Sequence, residues 1–494
     1  MDAHYKVCSK TFYQGLMLKA YVKGVQTVRK KVQDDDPVVV SCQIDGWSKF
    51  HHGYLGVILS YITPKWKRAS LTIGCIPFDE SHTSANLSSL YNDLMDDWNL
   101  AEKNTTLVSD SAANMMGMSL YLPRGTQQVK CLNHILQLII NDELLEKPEI
   151  STLVKNVRDF SNYAANSVLL SNACSKVAVE IGGEYLEFIR DVQTRWNSTH
   201  DMLKRFIQNE DIVRRILDDP AWRTKIKSNV KFSNKDWELI KSVSEILEPF
   251  KEATLELSKS EACISQYIPT VKAIEMKLQP SAHNNRVKGL KERLLKNLLK
   301  RLGNVESYDI YTLSCLLDPR FKKWCFRSQE KLDDAVKLLV EKVQEECPVE
   351  ISNEAEDVPT EVSEQDTNKN LFADMFKVIR SKAKAQSNNI SSSASAQSTV
   401  EDYLESDLLT TSQILKHWSD YEKTSGGNHF KLGLCKLARQ YLTPLPTSTS
   451  VERLFSSTGR LLDDRRSRLL PENLERMIFL RANVGAANFK LDWD

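Results

Sequence analysis

The stretch SCQIDGWSKFHHGYLGVILSYI, Ser41 to Ile62, decides the fold. It is rich in β-branched and aromatic residues, and the polar break SKFHHG divides it into two strand-like halves. Asp45 stands inside the first half, where burying an unpaired charge costs several kcal/mol. Two readings are open. Asp45-Gly46 between strand formers is a strong hairpin signal, which puts Asp45 at a chain reversal. With the reversal at SKFHHG instead, Asp45 lies on a strand beside Trp47 and needs something positive to meet it.

Outward from this stretch, PVVVSCQIDGW, GYLGVILSYI and RASLTIGCIPF read as three consecutive strands of an antiparallel meander. Leu87, Leu90, Tyr91, Leu94 and Trp98 then recur near helical spacing, and TTLVSD returns to a strand, so a strand-helix-strand crossover follows the meander. These patterns divide the chain into an N-terminal helical segment (1–37), a sheet region (38–142), an all-helical block (143–347), an acidic and then serine-rich disordered linker (348–403) with one amphipathic piece, LFADMFKVI, and C-terminal helices (404–494). A strongly apolar C-terminus after so long a linker is expected to pack back on an earlier domain.

The 494 residues are 41% hydrophobic and 27% charged, enough for more than one core. Lysine and arginine (66) balance aspartate and glutamate (65), so any nucleic-acid footprint must be local. None of the ten cysteines forms a C-x-x-C pair, which points to a reducing compartment rather than to a disulfide framework or a zinc finger. Neither a secretory leader pattern nor an apolar run long enough for a bilayer is present, so no membrane association is expected and an intracellular location is.

Three carboxylates attract attention, each with an ordinary role available. Asp45 can shape a turn; Asp110, where TTLVSD hands over to SAANMM, can cap a helix; Thr449 and Glu452 fit a capping box. Their joint placement carries more: one on the first strand of a meander, one after a crossover strand, one opening a late helix. A polynucleotidyl transferase of the RNase H type gathers acidic ligands in this way, around two divalent ions about 4 Å apart.

DGWS at Asp45, SDSAANM at Asp110, CLNHILQL at Cys131, TRWNSTHDML at Thr194, LDPRFK at Leu317 and TSTSVERLFSSTGRLLDDRRSRLLPENLERMIFLRAN at Thr447 resemble, in this order, motifs of the hAT superfamily of DNA transposases and the BED-type zinc finger proteins descended from them. HYKVCSKTF at His4 looks like the family's stretch Y-x-V-P-S-R-x-T, with Cys8 where proline is usual. The BED finger that commonly precedes this point is expected to be lacking.

The resemblance implies an α/β plus all-α architecture: an RNase H-like catalytic domain interrupted by a large helical insertion, with C-terminal helices completing the core and dimerising. It makes Asp45, Asp110 and Glu452 the acidic triad that holds Mg or Mn if the chain is catalytic. It places Arg195 and Trp196 near the active site, Trp196 stacking on a flipped base, although burial in the helical core is the plain reading of that indole. Cys131 and His134 could be half a zinc site; without a second pair, no structural zinc is expected, and DNA or active-site positioning is preferred. Arg460, Arg465 and Arg466, with Arg468, form a basic patch suited to phosphates. Leu454, Phe455, Leu474, Met477, Ile478 and Leu480 are candidate dimerisation residues, or core residues of the sheet domain. The implied partners are DNA and a second copy of the chain, and the implied location is the nucleus. A non-catalytic dimerising transcription or chromatin factor is the alternative.

Overall fold

The computed structural model describes residues 9–49, 52–146, 148–192, 196–223, 225–226, 231–279, 285–347, 371–372, 374–376, 395–409, 413–459 and 470–485. After an N-terminal helix (Lys10–Asp35), strands β1 (Val40–Lys49), β2 (His52–Ile62) and β3 (Arg68–Phe78) form the expected meander. A helix (Ser84–Asp97) leads to β4 (Asn104–Ser109), and β5 (Gln127–Lys130) follows. The sheet order is β3-β2-β1-β4-β5, with β1 antiparallel to β2 and parallel to β4, and β4 parallel to β5.

Period-two alternation assigns the faces of this sheet. Val40, Cys42 and Ile44 of β1 and Leu55, Val57, Leu59 and Tyr61 of β2 pack under the helices Lys10–Asp35 and Ser84–Asp97. Ser41, Gln43, Asp45 and Trp47 face the other way. There Tyr54, Ile58 and Cys75 meet Val451, Leu454 and Phe455 of the helix Thr449–Gly459 and Leu474 and Ile478 of the helix Pro471–Asn483. The C-terminus thus does pack back on the sheet. At the β3 edge, Asn483 donates from Nδ2 to the Thr72 carbonyl (2.8 Å) and accepts from the Thr72 amide (3.1 Å), pairing backbone groups that an edge strand otherwise leaves open.

The helical block starts earlier than the periodicity indicates, at Leu132, directly after β5. β5 is four residues long with a single buried side chain, Val129, too little pattern for a strand assignment from sequence. The block's spine is the helix Asn234–Leu257, opened by a capping box in which the Ser233 and Asp236 side chains each accept the other residue's amide. Phe206 stacks on Trp237 beside it, the rings 4.9 Å apart.

One boundary needs correction. Most of the segment read as linker lies outside the described residues, but its end does not: Ala396–Glu405 is a helix, opened by the Ser395 hydroxyl accepting the Ser398 amide. Its apolar side, Ala396, Val400, Tyr403 and Leu404, is buried in the core of the helical block, a pattern that the surrounding serine-rich composition hid. Phe372 and Phe376 of the amphipathic piece likewise pack on Phe321. The LDPRFK motif anchors this returning chain. Arg320 grips Asp318 through two hydrogen bonds (3.0 and 2.8 Å), and the buried Lys322 ammonium donates to the Ser406 carbonyl (2.6 Å), the Ser406 hydroxyl (2.7 Å) and the Asp407 carbonyl (3.3 Å).

Trp418 seals the same junction. It is fully buried, stacks on Trp66 from the turn after β2 at 6.1 Å, and donates its indole N–H to the Leu317 carbonyl (3.1 Å). Trp418→Ala is expected to destabilise the chain by about 3–5 kcal/mol, read as a lowered midpoint in chemical denaturation.

Candidate active site

β1 runs straight through Asp45-Gly46 and is paired to its end, where Lys49 faces His52. The reversal is therefore at SKFHHG, and Asp45 stands on the strand, opposite Gly56 of β2. In the parallel pair, Gln43 is level with Val108, and the same offset two residues further on sets Asp110 beside Asp45 at the end of β4. Asp110 does not cap the short helix Ala113–Met116; its Oδ1 accepts the Ala112 amide (3.1 Å) in a local turn.

Glu452 comes from above. A methyl group on Gly56 would lie 2.6 Å from Val451 Cγ1 and 2.7 Å from Phe455 Cζ, so only glycine lets the helix Thr449–Gly459 rest this close to the sheet. Trp47 stacks against Phe455 at 5.4 Å and completes the seat. The capping box does not form. Thr449 is already inside the helix, the Ser448 carbonyl accepts the Val451 (2.9 Å) and Glu452 (3.3 Å) amides, and the Glu452 carboxylate is left for other work.

The three carboxylates sense one another. The Asp45 carboxyl is pushed up to about 7, first by burial and then by the charges of Glu452 and Asp110, against one hydrogen bond from the Gly46 amide. None of the three forms an ion pair among the described residues, and the nearest cation in sequence, Arg453, donates instead to the Ser258 carbonyl (2.6 Å). The buried hydroxyls of Ser111 and Ser450, flanking Asp110 and Glu452, have no hydrogen-bond partner among the described residues. An uncompensated all-oxygen set of this kind suits a hard divalent cation. Among the described residues, however, no three His, Cys, Asp or Glu side chains converge tightly enough to enclose a metal.

The segment leading to Glu452 is fixed from several sides. Half-buried Arg68 donates to the carbonyls of Leu442 (2.7 Å) and Thr443 (2.6 Å) at the end of the preceding helix. The Pro444 and Pro446 carbonyls accept the amides of Ile264 (2.9 Å) and Leu132 (3.0 Å). Cys131 is buried, and its Sγ accepts the Ser448 amide (3.4 Å). It therefore positions the helix start and cannot reach DNA, which corrects its assignment as a DNA-binding residue; burial holds its thiol above the usual range. His134 is half-buried in the first turn of the helix Leu132–Glu146.

Trp196 also needs correction. It is 2% exposed, with its ring edge-on to His200 and Phe250, so it offers no free face to a base. Four of the six candidate dimerisation residues, Leu454, Phe455, Leu474 and Ile478, are spent on the chain's own core, whereas Met477 and Leu480 are half-buried. The reason is shared: each of these buried side chains packs against an apolar surface of its own chain. Arg195, Arg460, Arg465, Arg466 and Arg468 lie outside the described residues. Gly56, Arg68 and Asn133 were missed by sequence reasoning; only Gly56 carried a signal, a glycine inside a strand run.

Two family profiles match the chain: the ZBED1 RNase-like helical domain over residues 129–246 and the hAT family C-terminal dimerisation region over residues 399–484. The human Zinc finger BED domain-containing protein 4 is 24% identical over 371 residues, 73% of this chain and 30% of that protein. The Putative transcriptional regulator tpeD of Talaromyces stipitatus is 22% identical over 517 residues (96% and 56%), and the Putative AC transposase of Zea mays 22% over 520 (98% and 61%). The chain thus spans less than two thirds of the length of these curated relatives. The chain is similar to hAT transposases and to BED zinc finger proteins. Its residues 399–484 carry the match to the hAT dimerisation region.

Two outcomes follow from the geometry. Gly56→Ala is expected to lift the Glu452 helix and destabilise the fold by about 1–3 kcal/mol in chemical denaturation. The Asp45 pKa lies above its unfolded value of 3.8, so its favourable contribution is complete below about pH 4 and is lost as pH rises through about 7. Asp45→Asn is therefore expected to be more stable than wild type at pH 8, with the difference gone at pH 4, read as the midpoint of chemical denaturation at each pH.

Proposed function

We propose that this chain is a transposase-like nuclear protein of the hAT type, which self-associates and acts on DNA. The observation that carries this reading is the gathering of Asp45, Asp110 and Glu452 from three distant parts of the sequence onto one face of the sheet, with the Asp45 carboxyl raised by burial and then by the charges of the other two. The strand order β3-β2-β1-β4-β5, with an antiparallel meander joined to parallel strands, supports an RNase H-like core. The match to a hAT dimerisation region supports self-association. Among the described residues, no helix is long and apolar enough to cross a membrane.

On this reading Asp45, Asp110 and Glu452 would hold Mg or Mn, which would supply Lewis-acid chemistry for cleavage and strand transfer. The chain's own part is to hold three carboxylates on rigid elements: Asp45 on a central strand, Asp110 at a strand end, and Glu452 on a helix seated on Gly56. His134 stands in the first turn of the helix Leu132–Glu146, which follows β5 directly.

A second reading has an observation of its own. The buried Trp196 and the absence of a tightly closed metal-binding group among the described residues favour a dimerising transcription or chromatin factor that keeps the fold without the chemistry.

Mn²⁺-dependent nicking of a short hairpin-ended DNA separates the two. The transposase reading expects cleavage by the wild-type chain that falls at least a hundredfold in Asp45→Asn, with the circular dichroism spectrum unchanged. Equal rates in both would remove Asp45 from the chemistry, and DNA binding without cleavage would establish the scaffold.

A further inference from the structure

Glu452 projects from the first turn of its helix, so the rotation of that helix about its own axis decides where the carboxylate points. Val451 and Phe455 resting on Gly56 set the height of the helix over the sheet, but apolar contacts tolerate rotation. Directional bonds are needed to fix it, and the structure supplies them from the far side.

Thr449 and Arg453 lie three residues before and one after Glu452, and they are four apart, on one side of the helix. Arg453 is held directly by the end of the spine helix Asn234–Leu257, and Thr449 through Asn133. Asn133 Nδ2 donates to Thr449 Oγ1 (3.2 Å) and to Ser258 Oγ (3.0 Å), bridging the two helices. Ser258 is itself fixed, its hydroxyl donating to the Thr254 carbonyl (2.6 Å). Arg453 takes the Ser258 carbonyl at the negative end of the spine helix. That contact occupies Arg453, the neighbour of Glu452 in sequence, and among the described residues no ion pair reaches the carboxylate.

We infer that Asn133 and Thr449 are positioning residues, which hold the rotation of the Glu452 helix against the spine of the helical block so that Glu452 faces Asp45 and Asp110. The inference rests on the proposed carboxylate site. It joins the two parts of the chain: Asn133, inside the segment that matches the ZBED1 RNase-like helical domain, and Ser258, at the end of the spine just beyond that segment, together orient a side chain of the C-terminal region.

The test is Mn²⁺ binding by calorimetry on the full chain, with thermal midpoints measured alongside. Thr449→Val keeps the shape and loses the acceptor, whereas Thr449→Ser keeps the acceptor. Thr449→Val and Asn133→Ala should each weaken Mn²⁺ binding about tenfold, the size typical of lost outer supports to metal ligands, and Thr449→Ser should bind like wild type. The two losses should not add in the double variant. Equal binding by Thr449→Val, Thr449→Ser and wild type would overturn the inference, and this isosteric pair decides even if Asn133→Ala folds poorly. Wild-type binding that Asp45→Asn leaves intact, or no binding at all, would instead defeat the carboxylate site and the inference with it.

Discussion

The contact of Val451 and Phe455 with Gly56 is the constraint on which the rest of the structure depends. Wherever β2 carried a side chain at that point, the helix above would stand off the sheet. Trp47 would lose its stacking partner, and the apolar patch of Tyr54, Ile58 and Cys75 would open to water. The same missing methyl group brings Glu452 to the strand pair that holds Asp45. Packing and electrostatics are therefore solved by one residue, and the favourable burial offsets the repulsion it creates among carboxylates.

That repulsion is tolerated because it is surrounded by well-satisfied structure. The approach to Glu452 is bonded through Arg68, Ile264, Leu132 and Cys131, so few of its backbone groups are left without partners. The LDPRFK motif does similar work farther out, with a buried lysine collecting the carbonyls of the returning chain. Burial and the lost solvation push the Lys322 ammonium down to about 7, against the pull of Asp407 and Glu405. Both places accept a strained ionisable group inside a rigid frame.

Much of this was legible in the sequence because alternation and helical spacing report which face of an element is buried. The meander, the crossover and the three carboxylates could be placed from such patterns together with motif order. β5 could not, since a four-residue strand with one buried side chain has no period to read. The helix Ala396–Glu405 was hidden by composition: its serines and threonine look like linker, yet they cap and pack. Trp196 shows the opposite failure, where motif resemblance favoured a flipped base and the nearest apolar surface was the chain's own; of the two readings open for Leu454 and Leu474, packing on the sheet is the one the fold displays. Asn133 and Arg68 were invisible because side chain to backbone bonds across distant segments leave no periodic trace.

The path of the chain has a consequence for its synthesis. Thr72 and Asn483, bonded to each other at the sheet edge, are 411 positions apart. The meander leaves the ribosome early and must wait, with Trp47, Tyr54 and Ile58 uncovered, until the last helices emerge. During that interval the nascent protein carries an open hydrophobic face and only two of its three acidic groups. Premature termination anywhere before Glu452 would therefore yield a sticky product, prone to aggregation and dependent on chaperones, rather than a smaller working one.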